Sequence, residues 1–396
     1  MTSATATIRE EAAETFARLG WPTTRIEEWR YTSLAPLQKI AWRFDDAPTY
    51  VDSPASLAGK AAVELVFING RLAQRTGDTR FAEPGQIRIA EWERNRMVAL
   101  NYANEQEGGH IAIPANTVME GFIHLLFISR GDGIWSHPRN VISVGSNSQV
   151  TIVETYVGTG NTFTNAVTEI EAAEGAVVDH TKVQWDSREA FHIGNITIHQ
   201  ERGANVTSRS IALGGAIART ETHVALRGEG ASVTLDGLFV GTGTQHLDSL
   251  TSVDHLEPHC DSKQLYKGIL DQQSRGVFDG RIIVRPDAQK TQSRQENRNL
   301  LLSESAIVDS KPNLEIHNDD VKCSHGSTIG QIDQEALFYL RSRGIDEDEG
   351  RNLLVLAFAG EIVERIKVEP VRELVNRALF QSLPERMPER RAGDRG

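Results

Sequence analysis

Apolar and polar positions follow three different rules along this chain. From Ile8 to Leu19 the apolar residues Ile8, Ala12, Phe16 and Leu19 recur at helical spacing and Gly20 supplies a stop signal, so the pattern predicts a helix. Trp21-Pro22 then opens a turn. Ala62 to Arg71 (AVELVFINGR) reads as a strand running into an Asn69-Gly70 hairpin turn. This mixed zone extends to about residue 140.

From about 141 to 330 the helical period disappears. Runs rich in Val, Ile and Thr alternate with Gly, Asn and Asp, and strands are expected at Val150 to Val157, Ala176 to Gln184, Asn205 to Ala212 and Ala231 to Phe239. Gly145, Gly175, Gly203 and Gly230 each precede one of them, at spacings of 30, 28 and 27 residues. A nearly fixed period in an all-strand region suggests the stacked rungs of a parallel β-helix. An antiparallel sandwich with regular turns fits the same residues.

Helical spacing returns near Asp333. Asp333 can cap a helix to Arg343, with Ala336, Leu337 and Leu340 on one face and Gly344 as the stop. The acids Asp346 to Glu349 suit the start of a second helix, where the macrodipole favours negative charge. Pro370 suits the first turn of a third. The zones are thus 1–140, a mixed and helical region; 141–330, a strand core; 331–385, a helical domain; and 386–396, a charged tail expected to be disordered.

Composition narrows the function. The 396 residues are 39% hydrophobic and 24% charged, as in ordinary globular proteins. A net charge of −12 argues against nucleic acid as the main partner, which needs a basic surface. No apolar run approaches the length of a membrane span, and the first twenty residues lack the pattern of a signal peptide. The two cysteines, Cys260 and Cys323, make neither a C-x-x-C motif nor a disulfide framework, so a reducing cytoplasm is the simplest setting. No phosphate-binding P-loop, dinucleotide fingerprint, nucleophile elbow or H-E-x-x-H motif occurs, which argues against an enzyme and against a nucleotide site.

Three clusters remain. In Val321 to Thr328 (VKCSHGST), Cys323 and His325 sit at i and i+2, on one side of a strand, and thiolate plus imidazole is a natural pair for a soft metal. Two ligands leave a tetrahedral site half made, so a second chain would have to complete it. A buried cysteine beside a surface histidine is the plainer reading. His255 to Asp261 (HLEPHCD) mixes the same residue types but reads better as a proline-centred turn. Arg25 to Thr32 (RIEEWRYT) is either an interaction patch or an anchor for the N-terminal segment.

Three segments resemble the SufD branch of the SufB/SufD family: Arg25 to Leu34 (RIEEWRYTSL), Ser262 to Leu301, and Pro312 to Gly344 (PNLEIHNDDVKCSHGSTIGQIDQEALFYLRSRG). The resemblance implies a right-handed parallel β-helix with an N-terminal mixed region and a C-terminal helical domain. It implies a non-catalytic scaffold of iron–sulfur cluster assembly. The β-helix would pair with a SufB-like subunit, and the C-terminal helices would dock on the ATPase SufC. By position His325 matches an interface histidine that helps hold a nascent cluster, and Cys323 matches its neighbour. The alternatives are a SufB-like paralogue, a homodimeric family member and, more remotely, a β-helix enzyme acting on polysaccharide. The last would need clustered carboxylates, and Glu154, Asp179, Asp236 and Asp254 show no such register.

Overall fold

The computed structural model describes residues 3–45, 52–81 and 88–382; the tail expected to be disordered lies outside them. In chain order the strands are β1 (Val63–Ile68), β2 (Arg71–Gly77), β3 (His110–Ile113), β4 (Ile123–Arg130), β5 (Ile134–Ser136), β6 (Arg139–Val144), β7 (Gln149–Thr159), β8 (Thr162–Ala172), β9 (Val177–Trp185), β10 (Phe191–Gln200), β11 (Asn205–Ala212), β12 (Ile217–Leu226), β13 (Ser232–Gly241), β14 (His246–His255), β15 (Asp261–Leu270), β16 (Arg275–Val284), β17 (Gln292–Leu301), β18 (Ile307–Ile316) and β19 (Lys322–Gly330). The helices are α1 (Ser3–Leu19), α2 (Arg96–Asn104), α3 (Gln334–Ser342), α4 (Glu347–Val363) and α5 (Glu369–Ser382).

From β7 onward, strands consecutive in sequence lie in different sheets, and each pairs in parallel with the strand two places away. One sheet runs β19-β17-β15-β13-β11-β9-β7-β4-β1-β2 and the other β18-β16-β14-β12-β10-β8-β6-β3. That is a parallel β-solenoid with two strands to the rung, and it rules out the antiparallel sandwich. Among the described residues only the β1–β2 hairpin is antiparallel, turning at Asn69 and Gly70 with φ of 48° and 80°, as the Asn-Gly pair requires.

The glycine period is the pitch of this stack. Gly175, Gly203 and Gly230 all have positive φ, and each N–H donates to a carbonyl of the following rung, Arg202, Glu229 and Pro258. The same turn position is held by Asn147 before them and by His259 and Lys290 after them. Gly145, by contrast, does not take the positive-φ place. Composition hid the later turns because they strain a non-glycine residue instead.

Parallel pairing reaches back past residue 141 to β1 and β4. The early strands carry no alternation that marks a rung, since β1 is buried at every position, β3 and β5 are short, and α2 interrupts them.

Both outer faces are covered. On one, Val183, Ile211, Leu238, Leu265 and Leu300 pack under α4 and α5 through Val355, Ala359, Ile362, Val371 and Val375. On the other, Phe163, Phe191, Ile193 and Ile217 lie under Trp29, Leu34, Leu37, Met97 and Leu100. Inside, side chains stack in columns, and the first rungs are apolar: Val150, Val178, Val206 and Val233 form one column, all buried. The two ends differ. The β2 hairpin closes the first sheet at one end, while at the other β18 and β19 end the stack with no further strand upon them among the described residues. Pro312 sits in β18, an edge strand that can spare an N–H.

Candidate functional site

β19 is the last rung of its sheet, and its register decides where its side chains go. Cys323 lies over Ser293, His325 over Gln295, and Ser327 over Asn297. Those three β17 residues are buried, so Cys323, His325 and Ser327 continue inward-facing columns. No further rung covers them, and His325 is exposed although it occupies an interior position. The expectation that positions 323 and 325 share one side therefore holds, and the side they share is the open end of the lumen.

Cys323 is half-buried, packed beside Ile282, Val284 and Ala288 with Leu314 and Val321. Burial pushes its thiol pKa up, against a smaller opposing effect of the Ser293 backbone. It is a protonated thiol at neutral pH, and metal binding would have to displace the proton. Among the described residues no group of three or more His, Cys, Asp or Glu could hold a metal. The open rung thus presents two donors, fewer than a closed site needs.

The lumen beneath them is polar. The column under His325 reads Leu235, Gln264, Gln295, and the one under Cys323 reads Val233, Ser262, Ser293. Ser262 and Ser293 hydroxyls are 2.7 Å apart, and His255 Nε2 reaches Ser262 at 2.9 Å. Asn297 Oδ1 accepts from Ser310 at 2.7 Å, and the Ser310 and Ser327 hydroxyls are 2.8 Å apart. None of these amides and hydroxyls stood out in the sequence. The signal lay in the rung period, which places them in line with Cys323 and His325.

The other two clusters are structural. His255 to Asp261 is the turn from β14 to β15, with His259 at φ 60° and Cys260 fully buried. The Cys260 thiol donates to the Gly228 carbonyl at 3.4 Å, and burial raises its pKa. Arg25 to Thr32 is an anchor. Trp29 lies 4.1 Å from the Arg219 guanidinium, which is itself held by Glu221 at 2.9 Å and by Asp248. Thr32 Oγ1 bonds Asp248 and sits 2.8 Å from His246 Nε2, and Glu27 meets Lys311 of β18 at 2.5 Å.

The four acids of the polysaccharide-enzyme alternative are each matched by a base. Glu154 pairs with His180 at 3.1 Å, Asp179 with Arg209 at 2.6 Å, Asp236 with Arg365 at 2.7 Å and Asp254 with Arg285 at 2.7 Å. No pair among them converges as two free carboxylates, which hydrolysis of a glycosidic bond requires.

Residues 127–358 match the family model described as the SufBD core domain of the SUF system for FeS cluster assembly. The chain is 34% identical to an iron–sulfur cluster assembly SufBD family protein of Synechocystis sp., over 90% of this chain and 86% of that one. It is 31% identical to the iron–sulfur cluster assembly protein SufD of Escherichia coli, over 93% and 90%. It is also 28% identical to a chloroplastic protein of Arabidopsis thaliana, over 92% and 83%. The matched span runs from within β4 through β19 and holds the open end with Cys323 and His325, and on these grounds the chain belongs to the SufBD family of iron–sulfur cluster assembly proteins.

Proposed function

We propose that this chain is a non-catalytic scaffold subunit that holds a nascent iron–sulfur cluster at its open end, jointly with a SufB-like subunit. The observation that carries the reading is the uncovered last rung. A solenoid normally closes its ends, because bare edges and interior columns invite pairing. Here β19 leaves one backbone edge unpaired, and Ile307, Ile316 and Ile329 are exposed around it. A second subunit stacked on this face would bury those residues and bring its own ligands to Cys323 and His325. The cluster is cargo, handed on after assembly.

His325 is the more accessible donor of the two, because its imidazole is exposed while Cys323 is half-buried and must lose a proton to bind. We expect His325→Ala to leave the complex assembled and to lower its reconstituted iron and labile sulfide severalfold, with a smaller loss for Cys323→Ala. Equal iron and sulfide in wild type and His325→Ala would sink this reading.

The ATPase SufC would dock on the helices of 331–385. Among the described residues Phe338, Tyr339, Leu353 and Phe380 stay exposed there, while the opposite faces of α4 and α5 are occupied by the first sheet. Aspartate at Phe338 and Tyr339 should abolish co-purification with SufC; unchanged recovery would move the dock elsewhere. The same open rung would serve a second copy of this chain when no SufB-like subunit is present. Both cysteines are free, in keeping with a reducing, cytoplasmic setting. No helix among the described residues is long and apolar enough to cross a membrane.

A further inference from the structure

His325 stands over Gln295, and Gln295 over Gln264, in adjacent strands of one sheet. Neighbouring strands are about 4.8 Å apart, so residues in register are next neighbours in a column. Gln295 is fully buried. Its Nε2 donates to Gln264 Oε1 at 3.3 Å, and the same oxygen accepts from Thr251 Oγ1 at 2.8 Å. The amide nitrogen of Gln295 is therefore committed downward, and the other end of the amide, Oε1, has no partner. A buried amide oxygen left unsatisfied is destabilising unless something completes it. Room for this amide is kept by Gly280 of β16, where a Cβ would come within 2.4 Å of Gln295 Nε2. Directly above, neither ring nitrogen of His325 has a hydrogen-bond partner among the described residues.

We infer that Gln295 is a positioning residue for His325: the two groups are unbonded as they stand, and a turn of the imidazole toward the lumen lets Gln295 Oε1 accept a hydrogen bond from His325 Nδ1–H and leaves the Nε2 lone pair facing outward for the metal. The inference rests on the reading of His325 as a ligand. Gln295 touches no cargo; it acts through the imidazole. Metal-binding histidines commonly give their second ring N–H to a carbonyl or carboxylate, which fixes tautomer and ring orientation. The chain Thr251–Gln264–Gln295–His325 supplies that acceptor and holds it from below. Burial keeps water from competing for Oε1, so the bond is worth more here than at a surface.

The test is made on the full-length chain without metal, labelled with 15N-histidine, at about pH 8, where an ordinary imidazole is neutral. Long-range proton–nitrogen correlations report which ring nitrogen carries the proton, and His325→Ala identifies its own signals among the twelve histidines. The Nδ1–H form should predominate in wild type. Gln295→Leu should return His325 to the Nε2–H form that free imidazole favours. An unchanged tautomer in Gln295→Leu overturns the inference. Should that variant fail to fold, Gln295→Glu keeps the shape and an acceptor oxygen under the ring and should hold His325 in the Nδ1–H form. Loss of the Nδ1–H form in that variant overturns the inference equally. In the assembled complex, Gln295→Leu should also weaken iron binding by about tenfold, the usual effect of removing such a support. The tautomer is read without iron, so His325 can fail as a ligand while the positioning bond stands, and the two failures are told apart.

Discussion

His180 and His325 occupy the same inward column, which runs Ile152, His180, Ser208, Leu235, Gln264, Gln295 and His325. His180 is fully buried between rungs, with Nε2 3.1 Å from Glu154 and Nδ1 2.9 Å from Ser208. His325 has the same residue type, strand geometry and direction, but it closes the column and is exposed. One imidazole is held between rungs by its neighbours, and the other is left uncovered. Position in the stack makes the difference, and the neighbouring column repeats it: Val206 is sealed while Cys323, its last member, is half-open.

The sharpest way to break this contrast is to put a charge into one column at both depths. Val206→Asp should lose more than about 4 kcal/mol of stability in urea denaturation or fail to fold, because the carboxylate has no partner inside the lumen. Cys323→Asp should stay within about 1 kcal/mol of wild type. Equal losses would mean that the last rung is not open.

The two histidines give the next test. His180→Ala strands the Glu154 carboxylate with only Tyr156 and Thr168 as donors and should cost about 3 kcal/mol. His325→Ala should cost about 0.5 kcal/mol or less. Comparable destabilisation would make His325 a structural residue after all.

Buried imidazoles also set the response to acid. Burial lowers the pKa of His137 to about 3 and that of His255 to about 4, against an ordinary value of 6.5. Both stay neutral in the folded chain while the unfolded chain takes up protons. Their contribution is complete above pH 6.5 and is lost as pH falls toward their folded values. Carboxylates enter lower: burial opposes ionisation of Glu154, yet its bonds from His180, Tyr156 and Thr168 still hold its pKa below the usual 4.5. Between pH 7 and pH 5 the histidines dominate, and His255→Asn should reduce the stability lost over that interval by about 2 kcal/mol, read from denaturation curves at both ends. An unchanged slope would show that His255 already titrates in the folded state.

The smallest expected effect concerns the thiols. Cys260→Ala should cost about 1 kcal/mol and Cys323→Ala less than about 0.5 kcal/mol. In the native state a thiol reagent should modify Cys323 first, with Cys260 reacting only as the chain opens. Simultaneous labelling would contradict their different depths.

Much of this was legible beforehand. Helical spacing gave α1 and the three C-terminal helices, and Asn69-Gly70 gave the hairpin, because caps and turns are decided by a few neighbouring residues. The glycine period gave the pitch of the middle rungs. It gave neither the earlier rungs nor the turns at His259 and Lys290, where strain at a non-glycine residue is tolerated because its N–H donates to a carbonyl about thirty positions on. VKCSHGST stood out by residue type, whereas Gln264, Gln295, Ser262 and Ser293 passed as ordinary polar positions.

The sequence by itself determined an all-strand core flanked by helices, the cysteine–histidine pair and their common side of a strand, since these follow from local periodicity and side-chain alternation; periodicity alone did not choose the solenoid over a sandwich. Which imidazole is covered was decided only by the tertiary structure. Accessibility in a solenoid depends on whether another rung lies above, and no local pattern around His180 or His325 carries that information. The same holds for Trp29, whose motif suits a partner surface as well as it suits an anchor until Arg219 is seen beneath it.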